Sequence, residues 1–281
     1  MVMFDIWKTY LISKFRGGYH FSPHDRRLHL FERRWNVPEA SIKGREGDLL
    51  LLNIDGREFF WPVSFSLSDL PWLYAEVFYP RSINPSSYEH EIISIQDAAW
   101  VIDAGACEGF FSIYALEKGA SRIIGIEPVS LLAAAIEKTF DKSIAQGKYQ
   151  VIPAALGKEV GVGKLASNAV HACEAHLSED DSVCGEDIKL VTLDSLVRDL
   201  NLNGPGFVKM DVEGSEMDAL QGARESLASK KPKLAIAVYH GYENALLCKE
   251  IILRANSSYE IEFRGMYGWF QPPRPYMLFA W

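Results

Sequence analysis

The residues with chemistry to offer fall at regular places: Asp103, Gly105 and Gly109 in "WVIDAGACEGFFS", Glu127 in "GIEP", Asp211 and Glu213 in "FVKMDVEGSEMDALQGA", and His240 in "LAIAVYH". Each of these groups stands at the end of a short apolar run of the kind that forms a buried strand. A strand that runs into a glycine turn and then a helix gathers backbone N–H groups at one point, which suits a nucleotide-bearing cofactor. A dinucleotide calls for G-x-G-x-x-G, whereas Gly105-Ala106-Cys107-Glu108-Gly109-Phe110 has Cys107 and Phe110 at the second and third glycine positions. A Cβ at 107 crowds a pyrophosphate, and the Asp103 carboxylate repels one but suits a cationic amino acid. Glu127, 22 residues after Gly105, is placed to accept the ribose hydroxyls of either cofactor. The turn therefore favours S-adenosylmethionine (SAM) over NAD. The expected contacts are Asp103, Gly105, Ala106, Cys107, Gly109, Phe110, Glu127, Pro128 and Asp211.

In-line transfer from such a donor needs an aligned acceptor and a base for its proton. His240 is the first candidate, since an ordinary imidazole is largely neutral near pH 7. Asp211 is the second, as base or as the group that orients His240. The spacing Asp211-x-Glu213 also suits oxygen ligation of a divalent cation such as Mg²⁺, and that reading stays open. Glu213 and Glu216 otherwise serve as favourable negative charges in a helix's first turn, with Ser215 and Asp218 at capping-box-like spacing. Asp194 in "TLDSL" is either a ligand contact or a helix-start carboxylate. His171, Cys173, His176 and Cys184 are ligand types for zinc, but their spacing matches no standard site, and a loop over the active site is the preferred reading. Tyr267, Trp269 and Phe270 in "MYGWFQPPR" offer either a platform for a sugar face or core lids.

Positioning these groups requires alternating strands and helices. From residue 95 onward "WVIDA", "RIIGIEP", "YQVIPAAL", "GFVKMDV" and "KLAIAVY" read as strands. The helices between them are "GFFSIYALEKG", "SLLAAAIEKTFDKS", "TLDSLVRDL" and "SEMDALQGARESL", with another over 242–255. "YEIEFRG" and "PYMLFAW" then follow with no helix between them, so they must pair antiparallel. The expected architecture is α/β: a mainly parallel seven-stranded sheet with a C-terminal antiparallel hairpin. The Pro- and Ser-rich stretch at 79–91 divides an N-terminal extension, residues 1–90, from a cofactor-binding domain, residues 91–281. Within the extension, Asp55-Gly56 is a hairpin turn. Trp7, Leu11 and Phe15, with Lys8, Lys14 and Arg16 nearby, have the spacing of a helix suited to a lid, a dimer arm or a surface-seeking element.

The 281 residues, 48% hydrophobic and 23% charged, suit a globular protein able to bury a large core. A net charge of −8 argues against a general nucleic-acid binder. Residues 1–46 nevertheless hold nine Lys or Arg against five Asp or Glu, so contact with a phosphorylated substrate or an anionic membrane surface is open to the basic arm. Four scattered cysteines and the lack of a signal-peptide pattern or spanning apolar run point to the cytoplasm.

Over about residues 90–281 the chain resembles the FkbM-type SAM-dependent methyltransferases, through "VIDAGACEGFFS", "GIEP", "VTLDSL", "FVKMDVEGSEMDALQGA" and "LAIAVYH". The resemblance implies a class I, Rossmann-like methyltransferase fold, SAM as methyl donor, and an acceptor oxygen on a sugar, glycolipid or polyketide-type product. The family often has Asn where this chain has Cys107. An NAD-dependent oxidoreductase and a non-catalytic binding module are the rival readings.

Overall fold

The computed structural model describes residues 19–166, 176–178 and 185–281, the middle stretch by its backbone alone. The helix expected around Trp7, Leu11 and Phe15, and the candidate zinc ligands His171, Cys173 and Cys184 with the side chain of His176, lie outside the described residues.

In chain order the N-terminal half contains α1 (Pro23–Glu32), β1 (Ser41–Glu46), β2 (Leu49–Ile54), β3 (Arg57–Pro62) and α2 (Leu70–Phe78). Next come β4 (Trp100–Ala104), α3 (Phe110–Glu117), β5 (Ile123–Ile126), α4 (Ser130–Thr139), α5 (Asp141–Ala145) and β6 (Tyr149–Ile152). A small sheet is built from β7 (Ala155–Leu156), β8 (Gly161–Ala166), β9 (His176–Ser178) and β10 (Glu186–Val191). The chain then runs through α6 (Leu193–Asp199), β11 (Gly206–Met210), α7 (Glu216–Gln221), α8 (Arg224–Ser229), β12 (Lys233–Ala237), α9 (Asn244–Ala255), β13 (Ile261–Tyr267) and β14 (Arg274–Ala280).

The main sheet has seven strands in the order β6-β5-β4-β11-β12-β14-β13. All pairs from β6 to β12 are parallel, and β14 runs antiparallel to both β12 and β13, as the missing crossover helix requires. This is the Rossmann-like architecture expected from the sequence. Its strands are apolar throughout because both faces are covered. Val101, Phe207 and Ala235 pack with Phe110, Phe111 and Tyr114 of α3, while Ile102, Val208 and Ile236 face Leu196, Leu220 and Ile252 of α6, α7 and α9. Leu52, Phe59, Leu70 and Tyr74 belong to the same core cluster as Phe110, so residues on both sides of position 90 share one core.

Asp55 and Gly56 both take positive φ (50° and 85°), as a tight two-residue hairpin demands. Local details depart from expectation where tertiary contacts intervene. The helix expected over residues 130–143 breaks at Phe140, whose ring stacks on Tyr149 at 4.1 Å. The helix from Ser215 breaks at Gly222, where any Cβ would lie 2.2 Å from the Gly157 carbonyl oxygen. Ser215 caps nothing with its side chain. The capping boxes that do form are Ser22 with Asp25 on α1 and Thr192 with Ser195 on α6. Asp194 accepts the Glu225 and Ser226 amides at 2.9 and 2.7 Å, so it tethers the start of α8.

Candidate active site

The strand order reverses between β4 and β11, and ligands of open α/β sheets bind beyond the strand ends at such a point. A cleft opens there. Gly105 makes it: its φ is +74°, and a Cβ would lie 1.8 Å from the Asp211 carbonyl oxygen. The turn after β4 can therefore sit directly against the end of β11.

Gly105, Ala106, Cys107, Glu127, Pro128 and Asp211, six of the nine expected cofactor contacts, line this cleft. Asp103, Gly109 and Phe110 do not. Asp103 is fully buried beneath it, paired at 3.1 Å with Lys209, its register neighbour on β11, and accepting from Ser112 at 2.7 Å. Gly109, with φ +83°, opens α3 beside the Phe140 ring, and Phe110 is core, edge-on to Phe59 and Tyr74. Asp103 is withdrawn by its pairing with Lys209 inside the sheet, and Phe110 because a helix entering after a glycine turn directs its first side chain into the core.

Cys107 stands at φ 44°, the left-handed region where Asn and Gly are most at home. Its amide donates to Glu127 Oε2 at 2.8 Å, and the Val129 amide donates to Oε1 at 2.8 Å. Glu127 is thus fixed at both oxygens, with its unused lone pairs left for a ligand.

The second cluster lies across the cleft. Glu213, at φ 53°, and Gly214 form the tight turn after β11. His240 follows β12, with Nε2 at 3.5 Å from Asp211 Oδ1 and 3.4 Å from Glu213 Oε2, and Nδ1 at 3.0 Å from Glu216 Oε1. Glu216 is fully buried and accepts the Val212 and Gly214 amides, so it is an anchor for the turn and for His240 rather than a first-turn surface charge. Tyr88 donates to Asp211 Oδ2 at 3.0 Å, which leaves Oδ1 buried without a hydrogen bond. Asp211, Glu216 and His240 each offer a ligand atom within 4.8 Å of the others.

Five carboxylates and one ammonium line the cleft: Glu76, Glu108, Glu127, Asp211 and Glu213 against Lys209. Burial pushes Glu108 and Glu127 up to about 7, and it holds Glu76 and Glu213 above the usual carboxylate range. Burial alone would lower His240, but the carboxylates of Glu213, Glu216 and Asp211 beside it raise it well above the ordinary histidine range. The largely neutral imidazole expected from sequence is therefore replaced by an imidazolium. All five of these groups (Glu76, Glu108, Glu127, Glu213, His240) bind protons more tightly folded than unfolded. Their stabilisation is complete below the unfolded values and is lost as pH rises through the folded ones. The ligand-free protein's urea midpoint is expected to fall from about pH 5 to about pH 8, less steeply in Glu127→Gln. A midpoint that climbs over that interval would contradict this account.

Sequence reasoning missed Glu76, Tyr88, Glu108, Lys209 and Tyr239, all of which line the cleft. Lys209 alone had a legible signal, a charge inside an otherwise apolar parallel strand.

A family model described as the methyltransferase FkbM domain matches residues 103–261, more than half of the chain. The chain belongs to the FkbM methyltransferase family. That family is SAM-dependent, and membership sets aside the dinucleotide alternative. The cleft fits SAM: it sets five carboxyl groups against one ammonium, acceptors for an α-amino group and ribose hydroxyls, whereas a pyrophosphate calls for donors.

Among solved structures the fold is similar to the FkbM methyltransferase of Methylobacillus flagellatus KT, at 22% identity and a TM-score of 0.51 over 74% of this chain and 47% of that one. The chain thus spans about half the length of that relative. Precorrin-6y C5,15-methyltransferase of Geobacter metallireducens GS-15 is similar at 16% identity, a TM-score of 0.39 and 66% and 81% coverage. A SAM-dependent O-methyltransferase of Thermotoga maritima is similar at 13% identity, a TM-score of 0.35 and 66% and 60% coverage. No curated protein matches the chain. No helix among the described residues is long and apolar enough to cross a membrane.

Proposed function

We propose that this chain transfers the methyl group of SAM to a hydroxyl oxygen of a sugar, glycolipid or related small molecule, in the cytoplasm. The observation that carries the reading is Asp211: one oxygen is fixed by Tyr88, and the other is buried, free of hydrogen bonds and beside the His240 imidazolium. SAM when bound supplies an electrophilic methyl group. Gly105, Ala106, Cys107, Glu127 and Pro128 would hold SAM, with Asp103 acting through Lys209. Asp211 Oδ1 takes the acceptor's proton as the new C–O bond forms, while His240, held by Glu216, keeps the carboxylate aimed. Leu73, Glu76, Val77 and Tyr88 line the same cleft, which supports a part in acceptor binding for the segment before residue 91.

Calorimetric titration with S-adenosylhomocysteine and with NAD, followed by transfer from labelled SAM to a panel of glycosides, tests the reading. Binding of S-adenosylhomocysteine alone and O-methylated product are expected; NAD binding, or N-methylation only, would overturn it.

A second reading is favoured by the convergence of Asp211, Glu216 and His240. A divalent cation held by Asp211, Glu216 and His240, whose ring would give up its proton to ligate, would bind the acceptor oxygen and acidify it. Titration with Mn²⁺ and Mg²⁺ separates the two: metal binding lost in Asp211→Asn favours this reading, and no binding leaves Asp211 as the base.

A further inference from the structure

The β13–β14 hairpin carries a second set of groups that stack outward from a cleft residue. Tyr239, a cleft residue, stacks on Tyr267 at 4.8 Å, and Tyr267 stacks on Phe270 at 5.8 Å. The ladder ends in solvent, with Phe270 58% exposed. It is a fixed structure: the neighbouring Trp269, itself 45% exposed, donates its indole N–H to Glu32 at 3.2 Å, and that carboxylate is buried. The Tyr276 hydroxyl donates to the same carboxylate.

Against this ladder lies Arg274, its guanidinium 5.0 Å from the Phe270 ring centre and 5.7 Å from that of Tyr267. Arg274 is half-buried, has no carboxylate at ion-pair distance among the described residues, and its buried Nε has no hydrogen-bond partner. A buried N–H donor without an acceptor is costly, and the ring contacts do not satisfy Nε. Within the cleft the single ammonium, Lys209, is already held by Asp103 and the Ala104 and Gly105 carbonyls, so the open cation for an anionic group is the guanidinium at Arg274.

We propose that Arg274, backed by Tyr267 and Phe270, is the subsite for an anionic group, phosphate or carboxylate, carried by the acceptor. The aromatic faces take the apolar side of a sugar ring, and the guanidinium reads the anion bidentately. This inference rests on the acceptor reading above and narrows it to acidic sugars and phosphorylated headgroups.

The test is equilibrium binding to the full chain with S-adenosylhomocysteine present, read by tryptophan fluorescence. The probes are methyl glucoside, methyl glucuronide, glucose 1-phosphate, and phosphatidylcholine vesicles with and without phosphatidylinositol. An anionic probe is expected to bind roughly tenfold tighter than the neutral glucoside, as a charged hydrogen bond is worth. Arg274→Met, which keeps the apolar stem, removes that preference, and Arg274→Lys restores part of it. Preference for the soluble anions identifies a free sugar acid or phosphate, and preference for phosphatidylinositol vesicles identifies a lipid headgroup. Equal affinity for charged and neutral probes, no binding of any anionic probe, or a preference unchanged in Arg274→Met would leave the guanidinium as a cap on the aromatic stack and overturn the proposal. The wild-type comparison decides even if a variant folds poorly. Failure of S-adenosylhomocysteine binding, titrated separately, would count against the methyl-transfer reading and leave the Arg274 result standing.

Discussion

Lys209→Met is expected to destabilise the protein by about 3–5 kcal/mol, because it leaves a buried carboxylate without its cation. Asp103 and Lys209 are register partners on adjacent parallel strands, 0% and 5% exposed. Their charged atoms lie 3.1 Å apart, and Lys209 also donates to the Gly105 carbonyl at 2.6 Å and the Ala104 carbonyl at 3.2 Å. Burial works against the ammonium, but the fields of Asp103, Asp211 and Glu108 hold it charged. Once Lys209 is gone, only Ser112 still donates to Asp103. Asp103→Asn combined with Lys209→Met should recover most of the lost stability, since removing both members of a buried pair is often nearly neutral. Urea unfolding of the four proteins gives the coupling energy directly. Additive losses, with no recovery in the double variant, would show that the two residues act independently. Affinity for S-adenosylhomocysteine should stay low in the double variant, because the donors that hold the Gly105 turn are still missing.

The same pair shows where a sequence is legible and where it is not. Apolar runs such as "WVIDA" and "GFVKM" announce buried parallel strands because both faces of the sheet are covered, and the terminal hairpin follows from chain length alone. Those two features were enough for the fold. Gly105, Glu127 and Asp211 were legible as neighbours because each ends a parallel strand, and such ends share one edge. Which way the neighbouring side chains point was not legible: Asp103 is buried against Lys209, and Phe110 turns into the core. Position 107 is a backbone matter, since its left-handed φ favours Asn or Gly without any side-chain contact to a ligand. Glu76 and Tyr88 reach the cleft only because residues 52–78 join the sheet's core, a long-range event with no local pattern. Breaks at Phe140 and Gly222 are likewise set by Tyr149 and Gly157, far off in sequence. By contrast, α1 has a local signal in Ser22-Pro23-His24-Asp25, a capping box with proline at the first helical position.

Asp211→Asn is expected to slow methyl transfer about 10²–10⁴-fold, the usual contribution of a positioned base, while affinity for S-adenosylhomocysteine changes little. The substitution keeps the side chain's shape. Tyr88 would still donate to the remaining carbonyl oxygen, which turns the new NH₂ group toward the His240 imidazolium and removes the only open proton acceptor on that carboxyl group. The loss should therefore appear in kcat, not in cofactor binding. His240→Gln is expected to do less harm, because an imidazolium held by Glu213 and Glu216 positions the carboxylate and does not itself take the proton. Its signature is in the pH profile: the wild-type rate should fall at high pH as His240 loses its proton, and His240→Gln should lack that limb. Single-turnover rates with labelled SAM and an acceptor found in the glycoside panel measure both effects. A rate in Asp211→Asn within tenfold of wild type would place the base elsewhere, as would a His240→Gln enzyme as impaired as Asp211→Asn at every pH. A third outcome, Mn²⁺-dependent activity lost in both variants together with metal binding, would identify Asp211 and His240 as ligands, because the joint loss of binding ties both defects to one shared cation.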